Sequence, residues 1–482
     1  MSFMYSDPRL LDKLLAKELN SLSFNDREAL SEQLHGVRSL TPTETPEMLN
    51  NAFYEFQNEI NKKITTLLIQ LPDISSSSFL RCELFDIQKS VDRYLSCIDF
   101  LVDYFGVFAL ERPLFLDDLN KEEHKLLKEG QVQLMPSRDR SGRRVVVFLG
   151  SYGYGYSHMN RFRIIMYMMG QVASDDVCTQ KNGLVVTYSR HSTNTVREIV
   201  EYGPHQTECN RWIDSVPVRI SAFHCFLPDD ITRGMILNMI GKRTRLITRI
   251  HTVRGITETE YLLRCFGIHT DDFPVTNTGS VKTKNLRKWI RQRTTLENQQ
   301  RNAGSNILAP HNQIVGIECP DLNSVLIRNG GPAWDHPGNI KFRSILIRRE
   351  REREHQKTRP QKNQFLNSII QESWANGLRF LSYVDENEWY VEITDYNILR
   401  TKVFQALRDQ SARRKRLTKA TATATATANN DNDSMNPIGP IRSSSLVHHY
   451  NVSHDSSTNL FTGLDNNTSP TGCFLNFKKQ KL

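Results

Sequence analysis

Val216-Pro217-Val218-Arg219-Ile220-Ser221-Ala222-Phe223-His224-Cys225-Phe226-Leu227-Pro228 is the stretch on which the reading of the fold turns. Residues 220–226 form a short apolar and β-branched run bounded by Pro217 and Pro228, which predicts a strand. Beyond Pro228, Ile231, Met235, Ile236, Met239 and Ile240 recur at helical spacing and predict a helix over 229–241 with one apolar face. A strand feeding a helix is the repeating unit of an α/β sheet. Upstream, 184–188 and 145–149 read as two further strands, and downstream 246–251 reads as a fourth, less regular one. A helix over 161–174 lies among them and crowds together Ile164, Ile165, Met166, Met168 and Met169. The block 132–275 is therefore α/β.

Outside this block the pattern changes. Leu10, Leu11, Leu14 and Leu15 recur at helical spacing. So do Ile60, Ile64, Leu67 and Leu68, and then Val91, Leu95, Ile98 and Leu101. Breaker-rich stretches at 41–46 and 72–78 separate these helices. On the far side, Lys282, Lys284, Arg287, Lys288, Arg291 and Arg293 surround Leu286, Trp289 and Ile290, a basic helix that caps the domain through Trp289 or lies on an anionic surface. The polar stretch 292–305 reads as a linker. A small domain follows, helices first and a strand pair near its end. The Ala-Thr repeat at 420–428 and the Asn/Asp/Ser-rich residues after it lack the apolar surface needed to order themselves.

The segment 79–275 resembles the CRAL-TRIO (Sec14-like) family. Phe79-Leu80-Arg81 followed by Phe85-Asp86-Ile87 is similar to the step between two helices of that family's N-terminal lobe. Asp139 through Gly142-Arg143 looks like its Asp-x-x-Gly-Arg turn into a first floor strand, and Gly183–Tyr188 like its second strand. Val216-Pro217-Val218-Arg219 resembles its Tyr-Pro-x-Arg strand, with Pro228 opening the gate helix. Tyr261 through Phe266-Gly267-Ile268, closed by Phe273-Pro274, resembles its terminal Tyr-Gly-Ile segment. The family's acidic residue after the second strand falls on Ser189 and its asparagine before the gate proline near Phe226, so no ligand contact is carried to either.

The resemblance implies an α/β, CRAL-TRIO-type lipid-binding domain with an all-helical N-terminal lobe, followed by a small α+β domain and a disordered tail. The expected boundaries are 1–130 for the lobe, 131–280 for the lipid-binding domain and 281–305 for basic helix and linker. Residues 306–408 then make the small basic domain and 409–482 the tail. By spacing alone the helices 161–174 and 229–241 are ordinary core helices; the resemblance makes them the walls of a lipid pocket. Its lining would be Met166, Met169, Val186, Tyr188, Phe223, Ile231, Met235, Ile236, Met239 and Ile240, with 229–241 as the gate. Methionine suits a wall that repacks when the ligand leaves. Lys242, Arg243, Arg245 and Arg249 are the candidate contacts to lipid or membrane phosphates, with a solvated charged edge as the alternative. The ligand would be a hydrophobic lipid such as a phosphoinositide, a sterol or a tocopherol-like molecule, taken at an anionic membrane surface. No cofactor beyond that lipid and no metal are implied.

In the small domain, His336-Pro337-Gly338-Asn339, Lys357-Thr358, Gly377-Leu378-Arg379-Phe380-Leu381 and Trp389-Tyr390-Val391-Glu392 resemble an uncharacterised domain family. That family's upstream glycine-arginine turn reads Arg328-Asn329-Gly330-Gly331 here. The basic run from Lys341 to Arg353 suits nucleic acid, but Glu350, Glu352 and Glu354 interleave with its arginines, the pattern of a helix with internal ion pairs.

Composition narrows the function classes. The 482 residues are 38% hydrophobic and 24% charged, with a net charge of +9 that favours anionic partners, membrane headgroups or nucleic acid. No apolar run reaches the roughly 18–20 residues that span a bilayer, and the first residues carry no secretory pattern. The eight cysteines form no C-x-x-C pair, which argues against a zinc site and against a disulfide framework and fits a reducing intracellular setting. The expectation is a cytoplasmic, peripherally membrane-associated protein, with Arg413-Arg414-Lys415-Arg416 as a candidate nuclear-import run. Gly150-Ser151-Tyr152-Gly153-Tyr154-Gly155 has glycines but neither Rossmann spacing nor a Lys-Ser/Thr ending. His158, His191, His205 and His224 lack metal-ligand spacing, and no nucleophile motif is present. The expected function is non-catalytic binding and transfer or presentation of one lipid. The alternative is a nucleic-acid-associated or scaffold regulator acting through the small basic domain.

Overall fold

The computed structural model describes residues 42–64, 76–150, 155–173, 176–189, 206–227, 248–304, 316–328, 335–386 and 388–430, with Ser21 and Ser23. The predicted helix around Leu10–Leu15 and the predicted gate 229–241 lie outside the described residues. By packing, the chain divides into Met1–Arg416 and Leu417–Leu482, and both sheets belong to the first unit.

Helices come first: α1 (Pro46–Ile64), α2 (Ser76–Cys82), α3 (Ile87–Phe105), α4 (Phe108–Glu111) and α5 (Lys121–Glu129). The step from α2 to α3 is made by Leu84 and Phe85, both at positive φ. Asp86 then caps α3 by accepting from the Lys89 amide at 3.1 Å. Phe56, Phe79 and Tyr94 pack edge-to-face where α1, α2 and α3 meet.

The larger sheet has the order β1-β2-β3-β4-β5: β1 (Val132–Arg138), β2 (Arg144–Leu149), β3 (Leu184–Ser189), β4 (Ile220–Leu227) and β5 (Thr248–Thr252). β1 pairs antiparallel with β2, and the other pairings are parallel. Parallel strands are covered on both faces, which is why Val145, Val146 and Val147 run apolar without alternation. Sequence reading missed β1 because Gln133, Pro136 and Ser137 break its pattern. Pro136 is tolerated there on an edge strand, where the register shifts between Leu134 and Arg138.

α6 (His158–Ile165) runs on into a π-helix, Met166–Ala173, in place of the single helix expected over 161–174. α7 (Val177–Asn182), α8 (Gln206–Ser215) and α9 (Ile256–Cys265) complete this part. α10 covers Lys284–Gly304. That corrects the linker expected at 292–305, because Gln292, Arg293, Leu296 and Glu297 are buried on the inner side of this continuous helix.

The smaller sheet has the order β6-β7-β8: β6 (Ser324–Ile327), parallel to β7 (Arg379–Val384), which pairs antiparallel with β8 (Trp389–Glu392). α11 (Pro337–Glu354) and α12 (Arg359–Ala375) lie between β6 and β7 in sequence, and α13 runs Tyr396–Asn430. A strand therefore precedes the helices, which the expected order of helices first did not include. Leu399, Val403 and Leu407 of α13 close this core over Phe342, Leu346, Ile369 and Phe380. The helix continues past Arg408, where the tail was expected to begin, to Asn430.

Candidate functional site

Register assigns the sheet residues to faces. The rows Val146–Val186–Phe223–Thr248 and Phe148–Tyr188–Cys225–Ile250 lie on one face. The rows Val147–Thr187–His224–Arg249 and Leu149–Ser189–Phe226–His251 lie on the other. On the first face the π-helix buries Met166, Tyr167, Met168 and Met169 in one core with Val146, Leu184 and Val186; Phe148 and Phe223, half-buried, pack against it. Gly170 is what lets the wall close. A Cβ there would meet the Met166 sulfur at 2.6 Å, so the thioether lies directly over the glycine.

Of the predicted pocket residues, the structure brings together Met166, Met169, Val186 and Phe223, with half-buried Tyr188 on the same face. Ile231, Met235, Ile236, Met239, Ile240, Lys242, Arg243 and Arg245 lie outside the described residues. Arg249 does not join the methionine-lined set. It sits in the row of His224 on the opposite face, where His224 packs on Phe266 at 4.2 Å between ring centroids. Burial and then the nearby Arg143 lower the pKa of its guanidinium from the usual range.

The motif turns of this domain have local causes. The buried Asp139 carboxylate accepts from the Ser141 and Arg143 amides at 3.0 and 2.8 Å and from Arg143 Nε at 2.7 Å. Gly142 supplies the positive φ that this turn needs. Gly267, also at positive φ, accepts on its carbonyl from the Arg140 amide at 2.9 Å and so ties the terminal segment to the same turn.

A buried polar network, not foreseen from the sequence, connects the methionine wall with the chain entering the smaller sheet. Tyr167 donates its hydroxyl to Glu297. Arg293 binds both Glu297, at 3.2 Å, and Glu318, at 3.1 Å. Glu318 also receives Arg144 at 2.8 Å and Trp289 Nε1 at 3.3 Å. Burial pushes the Glu318 carboxyl up, but Arg293 and Arg144 outweigh this and hold it below the usual carboxylate range. Burial pushes the Tyr167 phenol well above its ordinary value, more than Arg293 lowers it. Arg138 donates to the carbonyls of Gly142, Cys319 and Pro320, to Thr179 Oγ1 and to Asp176. The only sequence signal was the Arg293/Glu297 pair at i,i+4 spacing.

In the smaller domain each motif residue has a structural task. The Asn339 side chain accepts from the Leu326 amide at 2.6 Å and donates to its carbonyl at 2.9 Å, pairing with β6 as a strand would. Gly338 is required because a Cβ would stand 2.1 Å from the Ser324 carbonyl oxygen. Thr358 and Gln361 form a reciprocal capping box on α12. Arg379 bridges Asp321 and Glu392, and Trp389 is buried against Gly316.

Residues 324–409 match a family described as a domain of unknown function, DUF6824. The DUF6824 segment thus starts with β6 and ends within α13, and it covers less than a fifth of the chain. No curated protein matches. Among solved structures, the crystal structure of Sfh5 aligns with 53% of this chain and 100% of its own, at 11% identity and a TM-score of 0.32. That score is too low to carry over a fold or a residue. Among the described residues no helix is long and apolar enough to cross a membrane. No group of three or more His, Cys, Asp or Glu among them is placed to hold a metal ion.

Proposed function

We propose that this chain is a non-catalytic lipid-binding protein of CRAL-TRIO type. It would hold one hydrophobic lipid against the methionine-lined face of the larger sheet and pass or present it at anionic membranes. The observation that carries the reading is the row of apolar sheet residues facing Met166–Met169 and running out to half-buried Phe148, Tyr188 and Phe223. The ends of parallel strands are where open α/β sheets take ligands. The ordered motifs at 79–87, 139–143, 216–228 and 261–274 support the same reading.

Exchange follows from energetics. Each methylene moved out of water is worth about 0.8 kcal/mol, so a lipid crosses between bilayer and apolar pocket at near balance but escapes into water slowly. The family resemblance assigns a gate to 229–241, with Lys242, Arg243 and Arg245 after it as candidate phosphate contacts, all outside the described residues; a gate opening at the membrane would make that passage direct. The lipid class is a phosphoinositide, a sterol or a tocopherol-like molecule, and the setting is the cytoplasmic membrane surface.

The nucleic-acid alternative draws less support. Arg348 and Arg349 of α11 are engaged by Glu372, and Glu350, buried, takes Arg414 at 3.0 Å. The test is movement of a fluorescent lipid between donor and acceptor vesicles. Wild-type protein should accelerate it and Phe223→Asp, on a half-buried residue, should abolish it. Equal rates with both, or with no protein, would defeat the proposal.

A further inference from the structure

Beside the methionine wall, a cleft of about 880 Å³ opens between the β1–β2 turn, α7 and the segment leading into β6. Its lining includes six cationic side chains, Arg138, Arg144, Lys181, Arg293, Lys341 and Arg379, against three carboxylates, Asp176, Glu318 and Asp321. Some of these charges are spent on each other: Glu318 on Arg144 and Arg293, Asp176 on Arg138, and Asp321 on Arg379. Others are not. Lys341 Nζ rests on the neutral Asn323 amide oxygen at 2.7 Å and takes part in no ion pair among the described residues. The Arg144 Nε–H and the Ser324 hydroxyl are buried polar groups without a hydrogen-bond partner among the described residues, and both residues line the cleft. A buried donor left unmade costs about 1–3 kcal/mol, so two such donors among the lining residues call for an acceptor. Gly377 leaves the rim open, since nothing lies within 4 Å of where its Cβ would be.

We infer that this cleft binds the phosphoryl group of a small phosphorylated molecule. Arg144 Nε, Ser324 Oγ and Lys341 Nζ are the donors left over for it, and the volume falls in the range of small-ligand sites. A phosphate offers an acceptor oxygen to each of three dispersed donors, and the ammonium of Lys341, in no ion pair among the described residues, favours an anion there. The phosphoryl group could belong to a soluble phosphate ester or to a lipid headgroup. The inference does not need the lipid reading: Ser324 and Lys341 belong to β6 and α11, outside the larger sheet, and Arg144 lies at the start of β2, at the opposite end of that strand from Phe148.

The test uses the full chain, with titration calorimetry against inorganic pyrophosphate and inositol trisphosphate, and flotation with phosphatidylcholine vesicles carrying a phosphoinositide. Lys341→Glu should lower affinity at least about tenfold, and Lys341→Arg should restore most of it. Ser324→Ala should weaken binding several-fold without lowering the melting temperature, since it removes a hydroxyl that satisfies nothing in the protein. Lys125→Glu, an exposed control on α5, should bind as wild type. Saturable binding of the soluble anions that Lys341→Glu removes assigns the site to a free phosphate ester. Binding to vesicles alone, removed by the same variant, assigns it to a headgroup. Absence of binding in both arms, or binding that Lys341→Glu and Ser324→Ala leave unchanged, overturns the inference.

Discussion

Replacing Glu318 by glutamine removes the negative charge at the centre of the buried network while keeping its shape. The wild-type carboxylate accepts from Arg144 at 2.8 Å, Arg293 at 3.1 Å and Trp289 at 3.3 Å. Arg293 keeps a second carboxylate in Glu297, but Arg144 has no other ion pair among the described residues. Its side chain is only 4% exposed. A glutamine offers one acceptor oxygen and turns an amide N–H toward the other arginine. Stranding a buried guanidinium in this way costs about 3–5 kcal/mol. At roughly 2 °C per kcal/mol for a unit of this size, the melting temperature should fall by about 6–10 °C. Scanning calorimetry on the full chain at neutral pH measures this. Acid supplies an independent check. The folded Glu318 carboxyl lies below its reference value of 4.5, so its contribution is present above pH 4.5 and is lost as pH falls through the folded value. Glu318→Gln should therefore flatten the wild-type decline in stability below pH 4.5. A melting temperature within about 1 °C of wild type, with an unchanged acid limb, would refute the claim that this buried network is stabilising.

Three further outcomes follow from local geometry. Gly267→Ala should lower stability by about 1–2 kcal/mol, because φ is +73° and the new Cβ would stand 2.4 Å from Arg140 Cγ; denaturant unfolding reads it. Asn339→Ala should cost about 1–3 kcal/mol by leaving the Leu326 amide and carbonyl unpaired, and exchange of the Leu326 amide hydrogen should accelerate. In a Cys473→Ser background, Cys265 should be the one described thiol that labels quickly in the native state. It is exposed, whereas burial pushes Cys97 up to about 12 and Cys209 to about 11.

Strands β2, β3 and β4 were legible to within a residue or two because Val145–Val147, Leu184–Val186 and Ile220–Phe226 owe their apolar character to burial on both faces. β1 and β6 were not. The first carries Pro136 at an irregularity, and the second is only four residues long, below what a periodicity can register. The polar composition of 292–305 suggested a linker because Arg293 and Glu297, read singly, look solvated. Their burial is satisfied by Glu318 and Tyr167, partners that sequence distance hides. Met166, Met169, Val186, Tyr188 and Phe223, grouped in the sequence by the family resemblance, fall on one side of the larger sheet, although parity within one strand links only Val186 with Tyr188. The face taken by Arg249 follows only from the β4–β5 register, and no single strand's sequence contains that information. The π-helical turn at Met166–Ala173 had no sequence signal beyond Gly170 among methionines.

The most direct test of the lipid proposal is native mass spectrometry, with lipid extraction, of the full chain purified from cells. The account predicts a stoichiometric lipid adduct, absent in Phe223→Asp protein that melts as wild type. A bare protein mass, with no lipid taken up from mixed anionic vesicles, would contradict it.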